Sequence, residues 1–170
     1  MSDEQTKNYE DVTQYGLDDD GEAELLAHQA ECTFIWSNKS GHPVGVIMNF
    51  VHRDGRFWLT ASGQRARIAA VRRDPRVSIA ISSLGSALAT RKSLTYKGIC
   101  ILHEDEETKA WFYRALAAAV RRGDESAQAA FVKHLDSPRR VVLEIVPEGR
   151  IAFDSTRMWK DTAAAARRQS

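Results

Sequence analysis

Alternation of apolar and polar positions with a period of two recurs along the middle of the chain, cut by clusters of turn formers. Residues 32–37 (CTFIWS) read as a strand, and Asn38-Lys-Ser-Gly-His-Pro43 as the turn after it. Residues 44–51 (VGVIMNFV) are a second β-rich run. His52-Arg-Asp-Gly55 carries the Asp-Gly hairpin signal, and residues 56–60 (RFWLT) make the returning strand. The period then changes. Ile68 and Val71, with Ala69 and Ala70 beside them, fit one face of a short helix over 64–73 that turns Arg65, Arg72 and Arg73 outward. Asp74-Pro75 ends it, because the residue before proline resists the α region. Residues 76–82 (RVSIAIS) alternate again, 83–92 read as a loop, and 94–103 as a strand in which Gly98 marks a bulge or kink. Helical spacing returns over 106–122, through Ala110, Tyr113, Leu116, Ala117 and Val120, with Gly123 as its stop. A further helix over 125–135 is anchored by Phe131 and Leu135. The last strand covers 141–146, bends at Pro147-Glu-Gly149 and continues over 150–154.

The two ends differ from this core. Residues 1–19 have little apolar content and no period, which predicts a flexible acidic arm. Asp20 is placed to cap a helix over 22–30, and residues 161–170 read as a frayed tail. The sum is one domain over 20–160: mainly β with flanking helices, an antiparallel six-stranded barrel.

Composition changes this picture little. No apolar run approaches a membrane span, and the start, MSDEQTKNYEDV, is too acidic and polar for a secretory signal, so the expected location is cytoplasmic. Cys32 and Cys100 sit in apolar runs with no metal-ligand spacing, which predicts buried free thiols and no zinc. Asp18-Asp19-Asp20 is read as helix-start charge, not as a metal site. Charge is more informative. Residues 1–30 hold nine acidic side chains and one lysine, so the rest of the chain holds 23 Lys and Arg against 14 Asp and Glu. That excess suits an anionic ligand; without interleaved exposed aromatics it does not point to nucleic acid.

Candidate chemistry gathers in residues 57–78, FWLTASGQRARIAAVRRDPRVS. A strand ends in a small-residue turn, and a helix starts beside Thr60, Arg65 and Arg67. Helix starts offer free N–H groups and a positive dipole end, and arginines add charge-assisted bonds, so a phosphate could be held here. A solvated basic helix explains the same residues. No acid–base pair stands out elsewhere. His42, His52 and His103 read as surface or turn histidines, so no catalytic residue is assigned.

The order of these elements resembles the FMN-binding split-barrel family. That family includes pyridoxamine 5'-phosphate oxidase, general stress protein 26-like proteins and flavin/deazaflavin oxidoreductases. The resemblance rests on His42-Pro-Val-Gly-Val-Ile-Met-Asn-Phe, Asp54-Gly-Arg-Phe-Trp-Leu-Thr60, Ser62-Gly-Gln-Arg-Ala-Arg67 and Arg72-Arg-Asp-Pro-Arg-Val-Ser78. Tyr96-Lys-Gly-Ile-Cys-Ile-Leu, Val142-Leu-Glu-Ile-Val-Pro-Glu and Trp159 extend it. It implies a split barrel and a homodimer with two FMN sites at the interface. Val44, Val46, Ile47, Met48 and Asn49 would lie along the flavin, Leu59 and Thr60 beside it, and Arg65 and Arg67 at its phosphate. Lys92 and Ser93 would reach it from across the interface, and Trp159 would lie near the ring. Two departures are visible: Arg65-Ala66-Arg67 stands where the family often has Ser-Arg-Lys, and Asn49 replaces a second phosphate-binding lysine. No match appears for the Arg and His that pyridoxamine 5'-phosphate oxidases use on their substrate, so that activity is not expected. The implied function is hydride transfer between FMN and a small organic substrate. A flavin-sequestering protein without turnover and a deazaflavin-dependent reductase are the alternatives.

Overall fold

The computed structural model describes residues 12–168. One antiparallel sheet of seven strands dominates it, in the order β2-β1-β5-β6-β7-β4-β3. The strands are β1 (Glu31–Ser37), β2 (Pro43–Asn49), β3 (Val51–Arg53), β4 (Arg56–Ser62), β5 (Arg76–Ser82), β6 (Lys92–His103) and β7 (Arg140–Asp154). The expected count of six is corrected to seven, because the run 44–51 serves two partners. Its first part pairs with β1, from Pro43 opposite Ser37 to Asn49 opposite Glu31, and the Phe50 N–H still bonds the Ala30 carbonyl at 2.9 Å. Beyond Phe50 the chain pairs with β4 instead, Val51 opposite Trp58. The two edge strands of the sheet are thus consecutive in the chain with one residue between them. Such a sheet must curl until its edges approach, which makes an open-sided barrel.

Alternation supplies the barrel's filling. Cys32, Phe34 and Trp36 of β1, Phe57, Leu59 and Ala61 of β4, and Val77, Ile79 and Ile81 of β5 all point inward and are buried. Phe50, Phe57 and Tyr96 pack ring against ring within it. The β3–β4 hairpin turns at Asp54 and Gly55, both at positive φ (53° and 70°), the pairing that matches strand twist. The bulge foreseen at Gly98 is present: the β6–β7 register shifts between Lys97 and Gly98. A side chain at Gly98 would place its Cβ 2.2 Å from the Val146 carbonyl oxygen, so only glycine fits.

Five α-helices flank the sheet: α1 (Asp19–His28), α2 (Ala66–Arg73), α3 (Glu106–Val120), α4 (Glu125–Leu135) and α5 (Ser155–Arg168). Asp18, not Asp20, caps α1, its carboxylate accepting the Gly21 N–H at 2.8 Å. The arm expected over 1–19 is shorter than that at its inner end, since Tyr15 and Leu17 are buried and Leu17 joins the barrel core with Leu25 of α1. Residues 1–11, the rest of that arm, lie outside the described residues. The frayed tail is corrected to helix: α5 runs to Arg168, its start capped by the buried Asp154, which accepts the Arg157 N–H. Alanine, the strongest helix former, fills much of its length. Helices α3 and α4 cover one outer part of the sheet through Phe112, Tyr113, Leu116 and Leu135 packed on Val142. Cys32 and Cys100 are free and buried, and burial pushes both thiols up to about 12. Among the described residues no helix is long and apolar enough to cross a membrane.

Candidate functional site

The turn between β4 and α2 is built by backbone bonds. Gly63 N–H donates to the Arg139 carbonyl at 2.7 Å, and Arg65 N–H donates to the Ser62 carbonyl at 3.0 Å. Arg65 is the residue before the helix, in extended conformation, and no side chain caps the helix start. Ile68, Ala70 and Val71 hold α2 against the barrel, so the outward direction of its arginines is fixed by the core.

Those arginines fall into two groups. Arg72 pairs with Glu104, Arg73 donates to the Ser37 carbonyl at 2.7 Å, and Arg76 makes a two-pronged bond to Asp74. Arg76 holds the Asp74 carboxyl down at about 2. Arg65 and Arg67 have no acceptor among the described residues. Arg65 is exposed, whereas Arg67 is half-buried and its Nε is buried with no hydrogen-bond partner. Burial, then the neighbouring charge of Arg65, makes the Arg67 guanidinium easier to deprotonate than usual. Both causes are those of a cation lacking its anion.

The other predicted residues are spread over this single chain. Val44, Val46 and Met48 turn into the barrel, while Ile47 and Asn49 are on the outer face of β2. Ile47 is 67 % exposed. Asn49 Nδ2 donates to the Ala30 carbonyl at 3.2 Å. Leu59 is fully buried. Thr60 faces outward, its hydroxyl donating to the Val141 carbonyl at 2.8 Å. Lys92, at the start of β6, is ion-paired with Glu24 of α1, and Ser93 beside it is exposed. Trp159, on α5, is 62 % exposed.

One cluster has no counterpart in the sequence reading. Glu144 of β7, its side chain 5 % exposed, is bonded by Arg56 and lies 2.6 Å (Oε2) from His103 Nε2. Burial alone would raise this carboxyl, but the bonds and charges of Arg56 and His103 together hold it below the ordinary value. Trp58 packs on His103 and edge-on to Trp111, and Arg53 lies over Trp111 at 4.6 Å. The available signal was a single acid inside the apolar run 141–146: a buried carboxylate demands a cationic partner.

Comparison with known proteins decides the family. The profile described as pyridoxamine 5'-phosphate oxidase matches residues 20–152. The chain belongs to the pyridoxamine 5'-phosphate oxidase family. No curated protein matches it by sequence. Solved structures share the fold of this family member at low identity. A conserved hypothetical protein from Mycobacterium tuberculosis superposes with a TM-score of 0.72 at 19% identity, over 84% of this chain and 88% of that one. An FAD-binding protein from Mesorhizobium loti gives 0.61 at 17%, over 81% and 95%. An F420 reductase gives 0.58 at 17%, over 75% and 94%.

Proposed function

We propose that this chain is an FMN-dependent oxidoreductase acting as a homodimer, with the flavin phosphate held by Arg65 and Arg67. One observation carries the reading: five arginines lie between positions 65 and 76, three are bonded, and the two at the helix start are not, although one has a buried Nε. Leaving such a donor unpaired costs about 1–3 kcal/mol, which an oxyanion recovers through charge-assisted bonds. The uncapped start of α2 adds free N–H groups of the same polarity. A phosphate monoester therefore fits the donor set.

Backbone and side-chain groups of 44–49 would lie along the cofactor, with Leu59 supporting from the core and Thr60 beside it. When bound, FMN supplies hydride transfer to a small organic acceptor, and the protein supplies position and charge. Lys92, Ser93 and Trp159 would act from the second copy, Lys92 exchanging Glu24 for the cofactor. A row of outward residues supports the two-copy reading: Ile47, Thr33, Ala80, Thr95 and Ile151 are successive cross-strand neighbours, uncovered by α3 and α4, and both isoleucines are more than 60 % exposed (67 % and 64 %). The two free thiols fit a reducing, cytoplasmic setting.

The fold shared with an F420 reductase favours a second reading, a deazaflavin in place of FMN. The purified protein tests both. The proposal expects yellow protein that releases FMN on denaturation and oxidises a nicotinamide donor with a quinone as acceptor. Colourless protein that binds a deazaflavin and not FMN would replace it with the second reading. Bound FMN without turnover would leave a flavin-sequestering protein.

A further inference from the structure

Beyond the β4–α2 turn lies another basic cleft, made of residues with no role so far. It measures about 380 Å³ and is walled by Gly63, Arg72, Glu104, Lys109, Arg139 and Arg140. Arg65 and Arg67 do not line it. Its frame is rigid. The Gly63 N–H is clasped by the Arg139 carbonyl, and a Cβ at Gly63 would come within 3.1 Å of that oxygen. Arg140 begins β7 and is registered opposite Ser62, so its backbone is fixed by the sheet.

The charges do not balance. Glu104 is engaged by Arg72, and Glu106, 83 % exposed, takes one bond from Lys109 at 2.8 Å. Arg139 and Arg140 have no carboxylate partner among the described residues, and Arg140 Nε is buried without an acceptor. Tyr113 lies one turn beyond Lys109 on the same face of α3. It is 4 % exposed, and its hydroxyl is also buried without an acceptor. Burial keeps this hydroxyl protonated and able to donate; the charges of Lys109 and Arg140 act against that effect, and those of Asp136 and Glu106 add to it. Donors converge from α3 and from the start of β7, and the one carboxylate in the wall, Glu104, is already engaged.

We propose that this cleft binds a phosphate-type oxyanion at a site separate from that of FMN. Arg139 and Arg140 supply the charge, and Lys109 completes the hydrogen bonds. Its volume falls within the small-molecule range, so the ion could be free or the end of a small phosphate ester.

Calorimetric titration of the full-length protein with inorganic phosphate and with ribose 5-phosphate, at ionic strength held constant with chloride, tests this. Saturable binding is expected, weakened at least about tenfold in Arg139→Gln/Arg140→Gln and kept in Arg65→Ala/Arg67→Ala. FMN affinity in the Arg139→Gln/Arg140→Gln protein should not change. Tighter binding of the ester assigns the bound group to an ester, and tighter binding of phosphate assigns it to the free ion; both retain the site. Absence of saturable binding overturns the proposal. So does undiminished affinity in the folded glutamine variants, or loss of binding in Arg65→Ala/Arg67→Ala, which would move the ion to the flavin site. Arg139→Gln alone, at an exposed position, gives the same test should the double variant not fold.

Discussion

The outer surface of the sheet has two halves with opposite treatments. Over β4 and the adjoining parts of β6 and β7, the chain covers itself: α3 and α4 bury Val142, and Trp111 of α3 packs on Trp58, which packs on His103 beside Glu144. Over β2, β1, β5, the start of β6 and the end of β7, most outward positions are small or polar, Ile35 is half-buried, and Ile47 and Ile151 are the most exposed isoleucines, ahead of Ile101 on the covered half. The boundary is the bulge at Gly98, where β6 and β7 change register. Helices, aromatic contacts and a buried ion pair thus gather on one half, and the open half carries the face proposed above for a second copy. The proposed cofactor site adjoins that open half through β2.

Changes on either side should break or sharpen this contrast. Replacing Phe112, fully buried on the inner face of α3, by alanine should cost about 3–5 kcal/mol of stability, measured by urea unfolding. A loss below about 1 kcal/mol would mean that the helices are loosely applied and the two halves are alike. Gly98→Ala attacks the boundary itself and should cost about 1–3 kcal/mol or more, because the new methyl meets backbone that cannot turn aside. Near-neutral behaviour would show that the bulge is not tightly held.

Glu144→Gln probes the covered half through pH. The Glu144 carboxyl is held below its ordinary value of 4.5, so the folded state binds fewer protons than the unfolded one as pH falls past that value. Its contribution is complete above that range and is lost on acidification. The stability gap between wild type and Glu144→Gln should therefore narrow as pH drops from about 5 to 3. A constant gap would remove the ion pair from the account. Ile47→Asp should have the smallest effect on folding, within about 0.5 kcal/mol, while converting the proposed dimer to a monomer in sedimentation. An unchanged dimer would place the second copy elsewhere.

The covered half was the less legible in the sequence. Period-two alternation located its strands, and helical spacing located α3 and α4, but Glu144 sat inside an apolar run with partners Arg56 and His103 far along the chain. Pairing at such separation is set by register, which no local pattern carries. The strand break at Phe50 escaped for the same reason: its residues are good strand formers throughout, and only a change of partner divides them. Local signals fared better. Asp54-Gly55 turned as its dihedral preferences require, Asp74-Pro75 ended α2, and Gly98 marked the bulge. At the candidate site, Arg65 and Arg67 were visible as residues but not as unpaired ones. That distinction needed the side-chain bonds of their three neighbours.

The central claim is that this unpaired couple awaits a phosphate. FMN titration of the wild type and of Arg65→Ala/Arg67→Ala, followed by flavin fluorescence, tests it most directly. Each replacement should cost about 1–3 kcal/mol of binding, and the double variant should bind weakest of all while remaining folded. Equal affinity in wild type and double variant would contradict the claim.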